Sequence, residues 1–203
     1  MSGLVIVLRA LPGSGKSTFG KRLADKAKEE GKSVEICSAD EFFYNLGGGK
    51  YRFEPSKISE AHKYCFKKYM NALNNNVDVV IVDNTNLSAF EISPYKMVAE
   101  SHDYDFKIHQ VNVSPDVAFK RQQHGVSQRG YEAMNDRFKN EFIPPWWEKE
   151  EFDSTSDEEG SPDFQPSKKP ERSKQLSLPF EDKKANKLED NLYKIARKMS
   201  KKY

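Results

Sequence analysis

Nine consecutive residues, Ala10-Leu11-Pro12-Gly13-Ser14-Gly15-Lys16-Ser17-Thr18, combine two glycines, one ammonium and three hydroxyls. Gly13 and Gly15 let the main chain take positive φ and turn its N–H groups inward. A nest of this kind, followed by a helix N-terminus, holds a polyanion. Lys16 has the length to reach the outer phosphates of a nucleoside triphosphate, and the Ser17 hydroxyl suits Mg²⁺. Pro12, Gly13, Ser14, Gly15, Lys16, Ser17 and Thr18 are therefore the expected nucleotide-binding segment. The usual spacing, G-x-x-x-x-G-K-[ST], opens on a glycine, whereas this chain has Ala10. An alanine is harmless there if its φ is negative.

Two carboxylates are placed to work on such a ligand. Asp83 closes the apolar run Val79–Val82, where an acid suits a metal ion held by the loop hydroxyl; it suits an ordinary turn as well. Asn84-Thr85-Asn86 follow and would form a polar platform at the carboxyl edge of a sheet, where ligands bind in open α/β folds. Asp40 lies in Ser38-Ala39-Asp40-Glu41-Phe42-Phe43, just after a second strand-like run. It could accept the proton of an attacking hydroxyl, and Ser38 or Asp40 equally suits a helix N-cap.

Charge on a transferred phosphoryl group calls for cations. Arg121, Arg129 and Arg137 surround His124-Gly125-Val126-Ser127, with Arg121 the first candidate and Arg129 the second. Each also suits a solvated helix face. Gly47-Gly48-Gly49-Lys50-Tyr51-Arg52-Phe53 is glycine-rich, basic and aromatic. Lys50 and Arg52 fit a phosphate and Tyr51 or Phe53 a stacked base, or the aromatic rings simply pin the loop. His62 stands alone on a helical pattern.

These groups need a scaffold. Strand-like runs at Leu4–Leu8, Val34–Cys37, Val77–Val82 and Phe106–Val113 alternate with helical patterns at about Lys16–Glu30, Ser56–Asn74 and Ser88–Asp103, the last with Pro94 as an internal restart. Ser114–Gln123 and Tyr131–Phe142 add two more helices. Alternation of this kind predicts an α/β fold with a mostly parallel sheet flanked by helices. One core domain, 1–147, is expected from the length. Glu148–Asp163 carries eight acidic residues against one lysine, and Phe164–Tyr203 twelve basic against five acidic. The stretch 148–182 is too polar to offset its ordering entropy and is expected to be disordered. At 183–203 a basic amphipathic helix is expected, with Leu188, Leu192, Ile195 and Met199 on one face.

A net charge of +2 leaves no global basic field. Cys37 and Cys65 lack metal-ligand spacing and read as reduced, buried thiols of a cytoplasmic protein. No apolar run is long enough to span a bilayer, so no membrane partner is expected.

In their order along the chain, Pro12–Thr18, Ser38–Phe43, Lys50–Phe53, Ala61-His62, Val82–Asn86, Phe90–Tyr95 and His124–Ser127 resemble the polynucleotide-kinase-like P-loop kinases, a group with zeta-toxin-like ATP-binding members. The likeness covers Leu4–Phe142. It implies an adenylate-kinase-like core, ATP and Mg²⁺ as cofactors, and phosphorylation of a hydroxyl on nucleic acid, DNA favoured over RNA. By this resemblance Lys16 stabilises the transferred phosphoryl group, Ser17 and Asp83 hold the metal, and Asp40 activates the acceptor. Arg121 or Arg129 closes from a lid, while Arg52, His62, Asp83, Asn84 and Asn86 join Asp40 on the acceptor side. One position departs from the pattern. Viral members carry an arginine three residues after the base-like aspartate, where this chain has Phe43.

In the tail, Gln175-Leu176-Ser177-Leu178-Pro179-Phe180 resembles the peptide with which bacterial replication proteins enter a groove of the beta sliding clamp. Gln175 would give amide hydrogen bonds, and Leu176, Leu178 and Phe180 apolar anchors. Three functions therefore stand open: a kinase acting on a DNA 5′-hydroxyl end, a kinase acting on a hydroxymethyl group of a modified DNA base, and a clamp-recruited nucleotide-binding adaptor with little catalysis.

Overall fold

Strands buried on both faces of a parallel sheet read as unbroken apolar runs, and the two most apolar runs of this chain form its centre. The computed structural model describes residues 3–123, 125–155 and 163–166. Strand β1 (Leu4–Arg9) lies between β3 (Val79–Val82) and β4 (Asp105–Asn112). The full order is β2 (Val34–Cys37), β3, β1, β4, β5 (Lys149–Thr155), β6 (Asp163–Pro166). Every neighbouring pair is parallel except β5 with β6. Leu4 is level with Val79 on one side and Asp105 on the other. The expected mostly parallel α/β sheet is thus observed.

Side chains alternate across a strand, so β1 feeds two cores. Val5 and Val7, with Val80, Val82 and Ile108, pack on helices α2 (Ala39–Leu46), α3 (Ile58–Asn74) and α4 (Ala89–Ser101). Ile6 and Leu8, with Val79, Ile81 and Val111, pack on α1 (Lys16–Glu29) through Phe19, Ala24 and Ala27. A smaller cluster of Leu11, Leu87, Ala118 and Tyr131 seats α5 (Pro115–Arg121) and α6 (Gln128–Asn140) beside the turn after β1.

Local chemistry explains the helix ends. Ser88 and Glu91 form a reciprocal capping box at the start of α4. Pro94 has no N–H for the Phe90 carbonyl, and the Ser93 hydroxyl donates to that oxygen instead, at 3.4 Å. The Ser38 hydroxyl accepts from Asp40 N at 3.2 Å and starts α2, a helix that periodicity over eight residues does not predict.

The sheet runs further than composition suggests. Residues 148–182 are expected to be disordered, yet Lys149–Thr155 pairs with β4 from Ile108↔Lys149 to Asn112↔Asp153. The strand is legible only in its partners. Phe152 is its one large apolar side chain and packs with Phe19 at 4.8 Å, while Lys149 pairs with Glu151 and Glu150 with Lys107. The candidate clamp peptide 175–180 and the amphipathic pattern 183–203 lie outside the described residues.

Candidate active site

The strand order reverses at β1, whose neighbours β3 and β4 lead away in opposite directions, and ligands bind at the carboxyl ends of such strands. A cleft of about 1130 Å³ opens there. Its floor is the turn Leu11–Thr18. Gly13 has φ 79° and Gly15, which caps α1, has φ 84°. A side chain on Gly13 would also strike α5, since a Cβ would sit 2.0 Å from the Ala118 carbonyl oxygen. Ala10 takes an ordinary backbone conformation, because the described non-glycine residues at positive φ are Asn76, Asn86 and Asp103. It is fully buried, and its N–H donates to Thr85 O at 3.0 Å. The substitution at the head of the motif therefore leaves the loop intact and gives no support to a non-catalytic adaptor.

Lys16 pairs with Asp83, and both side chains are about one-tenth exposed. Ser17 is exposed at the cleft. Ser14 is fully buried in the loop and its hydroxyl has no partner within the described residues. Gly-rich geometry, a paired ammonium beside a carboxylate and an accessible hydroxyl fit a triphosphate with Mg²⁺.

Opposite the loop stands Asp40 at the start of α2. The Tyr51 hydroxyl donates to Asp40 Oδ1 at 3.0 Å. Burial and the adjacent carboxylate push the Tyr51 phenol well above its usual value, so it remains a donor. Asn84 sets the helix that carries Asp40. Its Oδ1 accepts from Ala39 N at 2.9 Å, while its amide nitrogen donates to Cys65 Sγ at 3.3 Å and Tyr95 Oη at 3.5 Å. Both cysteines are buried, unoxidised, and raised in pKa chiefly by burial.

Another wall of the cleft comes from α5 and α6. Arg121 and Arg137 line the cleft. Arg137 Nη1 lies 3.6 Å from Glu91 Oε1. Gln122 spans the turn between the two helices, donating to Val126 O and accepting from Val126 N, each at 2.8 Å. Tyr131 Oη donates to Pro12 O at 3.2 Å and ties α6 to the phosphate loop.

Of the residues expected from the sequence, the structure brings Pro12–Thr18, Asp40, His62, Asn84 and Arg121 into one cleft. Other expected residues lie elsewhere. Arg129 is exposed on α6 outside the cleft wall. Arg52 is two-thirds exposed and pairs with Glu54 at 2.9 Å. Asn86 is buried and donates to Leu8 O at 2.7 Å, which turns its amide into the scaffold. Asp83 reaches the site through Lys16 rather than by lining the wall. Tyr51 lines the cleft, donates to a carboxylate and packs on Phe43 at 5.9 Å.

Arg9 carries a role that the sequence reading misses. It is 2% exposed at the end of β1. It donates to Gln110 Oε1 at 2.5 Å, Leu87 O at 3.2 Å and Phe138 O at 2.7 Å, and stacks on the Phe138 ring at 4.2 Å. Burial lowers its pKa to about 10, against opposing pulls from Glu141, Glu151 and Glu91. A charged residue closing an otherwise apolar strand, one position before the phosphate loop, is the signal that marks it.

A family profile described as AAA domain (AAA_33) matches residues 5–140. Human NEDD4-binding protein 2 is 33% identical over 141 residues, 67% of this chain and 8% of that protein. A protein of Autographa californica nuclear polyhedrosis virus named as a bifunctional polynucleotide kinase/RNA ligase is 27% identical over 124 residues, 58% of this chain and 17% of its own length. The chain therefore spans under a fifth of either relative. Among solved structures, the PezAT chromosomal toxin-antitoxin system of Streptococcus pneumoniae aligns over 100% of this chain and 88% of its own, with TM-score 0.51 and 12% identity. That last likeness is one of fold. No helix among the described residues is long and apolar enough to cross a membrane.

Proposed function

Because the chain belongs to the AAA domain (AAA_33) family and has the fold of a P-loop kinase, we propose that it is an ATP-dependent phosphotransferase acting on a hydroxyl of nucleic acid, with a DNA 5′-hydroxyl end as first candidate. One observation carries this reading: the Asp40 carboxylate, oriented by Tyr51, faces the phosphate loop across a single cleft. The viral relative named as a polynucleotide kinase/RNA ligase supports the acceptor class.

In this reading the acceptor oxygen attacks the γ-phosphorus of ATP, the bond to the β–γ bridging oxygen breaks, and ADP leaves. Asp40 takes the hydroxyl proton as the new bond forms. Lys16 leaves Asp83 for the phosphate oxygens. Ser17 and the released Asp83 are the residues that would hold Mg²⁺, which supplies charge neutralisation at the phosphates. Arg121 adds positive charge from the lid side.

The test is transfer of label from ATP to hydroxyl-ended DNA and RNA by wild type, Lys16→Ala and Asp40→Asn in parallel. Asp40→Asn should lower kcat by about 10²–10⁴-fold, with ATP affinity retained. No transfer to either polymer, or an unchanged Asp40→Asn rate, refutes the reading. Phe43, buried where the viral pattern has an arginine, favours a second acceptor, a hydroxymethyl group on a modified base. Label that survives trimming of the ends would identify it. We further propose that Gln175–Phe180 binds a bacterial beta sliding clamp. Direct binding to purified clamp, lost in Gln175→Ala with Leu178→Ala, is the expected result; equal binding by wild type and double variant refutes it.

A further inference from the structure

The wall beside Asp40 is aromatic where an ionic grip on the acceptor is the expectation. Phe53 and Ile58 line the cleft and remain 47% and 42% exposed, an unusual surface for large apolar side chains next to a catalytic carboxylate. Phe53 is continuous with the site. Phe53 packs on buried Phe43 at 5.1 Å, Phe43 packs on Tyr51 at 5.9 Å, and Tyr51 holds Asp40. The guanidinium groups are placed elsewhere. Among the described residues the arginines of the cleft wall are Arg121 and Arg137, on α5 and α6. Arg52 pairs with Glu54 outside the wall.

From this arrangement we infer that the acceptor is held by its flat heterocycle, stacked on Phe53 and Ile58, and not by its adjoining phosphate. The inference rests on the proposed nucleic-acid acceptor and specifies how it is read. A nucleobase offers a π-face to any aromatic platform, so recognition of this kind is tolerant of sequence. Phe43 fills the floor beneath the platform, which gives the missing arginine a physical replacement. Because the platform touches the Asp40 helix through Phe43, a stacked base places its own sugar hydroxyl close to the carboxylate.

The experiment uses the full-length chain and three 5′-hydroxyl oligonucleotides: one ending in 2-aminopurine, one abasic at that position, and one with a neutral methylphosphonate as its first linkage. The abasic end should show a KM about ten-fold higher than the base-bearing end. Phe53→Ala should raise the base-bearing KM to the abasic value, leave the abasic KM unchanged and abolish quenching of 2-aminopurine fluorescence; Phe53→Trp should restore both. The methylphosphonate should change KM by about two-fold or less. Equal use of base-bearing and abasic ends, quenching that survives Phe53→Ala, or a ten-fold penalty for the neutral linkage overturns the inference while leaving the kinase reading in place. If no oligonucleotide is phosphorylated yet Phe53-dependent quenching persists, the kinase reading fails and the stacking site stands. Loss of both refutes both. Phe53 is half exposed, and a urea transition matching wild type confirms that the variant is folded.

Discussion

Replacing Arg9 by methionine tests whether this buried cation holds α6 to the sheet. The side chain joins three elements: Gln110 on β4, Leu87 after β3 and Phe138 near the end of α6. Arg9→Met keeps most of the aliphatic volume and removes every donor. Two acceptors in the buried interior and one partly buried lose their partner, at about 1–3 kcal/mol for each fully buried group. Loss of the stacked cation on Phe138 adds about 1 kcal/mol. Against this, the fall in the Arg9 pKa from 12.5 to about 10 corresponds to a net electrostatic cost of about 3 kcal/mol, burial outweighing the pull of the nearby carboxylates, which the methionine escapes. With about 1 kcal/mol more for the partly buried Phe138 carbonyl, the net expectation is a destabilisation of about 1–5 kcal/mol. Equilibrium urea unfolding measures it, read as a lower midpoint at constant slope. The loss should be local to α6, with early proteolytic cleavage between Arg121 and Phe138 before global unfolding. Stability equal to or above wild type would show that the buried charge is a net cost and that apolar packing alone docks α6, as happens for some buried ion pairs.

Three further outcomes follow from the geometry. Gly13→Ala should abolish ATP binding and cost at least about 2 kcal/mol in a thermal or urea assay, since it forces a left-handed residue onto the Ala118 carbonyl; nucleotide affinity within two-fold of wild type contradicts the close approach. Asn84→Ala should slow turnover about ten-fold with ATP KM nearly unchanged, because the Ala39 N–H that seats Asp40 loses its acceptor; a pure KM effect would place Asn84 on the ligand instead. His109 is buried against Phe19 and Phe152, its ring nitrogens have no hydrogen-bond partner among the described residues, and burial lowers its pKa despite the pull of Glu150 and Glu148, with Lys107 adding to the fall. Its folded value lies below its unfolded one, so its contribution to stability is present above the unfolded pKa, about 6.5, and is lost as pH falls through the folded value. His109→Phe should flatten that acid slope and stabilise the fold by about 1 kcal/mol near pH 6; an unchanged slope in urea unfolding from pH 7 to 5 refutes the assignment.

Glycine spacing, apolar runs ending in carboxylates and hydroxyls at helix starts are local codes, and they survive translation into sequence. For that reason Pro12–Thr18, Asp40 and the Asp83–Asn86 turn are legible in the sequence, as is the parallel sheet. Strand β5 is not, because Lys149–Thr155 is charged and its assignment depends on β4 alone. Tyr51 shows the same limit. It lies eleven positions from Asp40 across a glycine-rich turn, and no periodicity predicts that its hydroxyl closes on that carboxylate.

The sequence by itself determined the phosphate loop, the alternation of the apolar strands β1–β4 with the longer helices, and the chemical types gathered at the sheet edge, since each follows from neighbouring residues. Only the tertiary structure decided which of those types meet. It sent Asn86 into the scaffold, left Arg52 and Arg129 outside the wall, and drew Arg121, Arg137 and Phe53 into it. Side chains far apart in the chain share a cleft only through the docking of whole helices, and that docking is fixed by buried contacts such as those of Arg9 and Asn84, which no local pattern encodes.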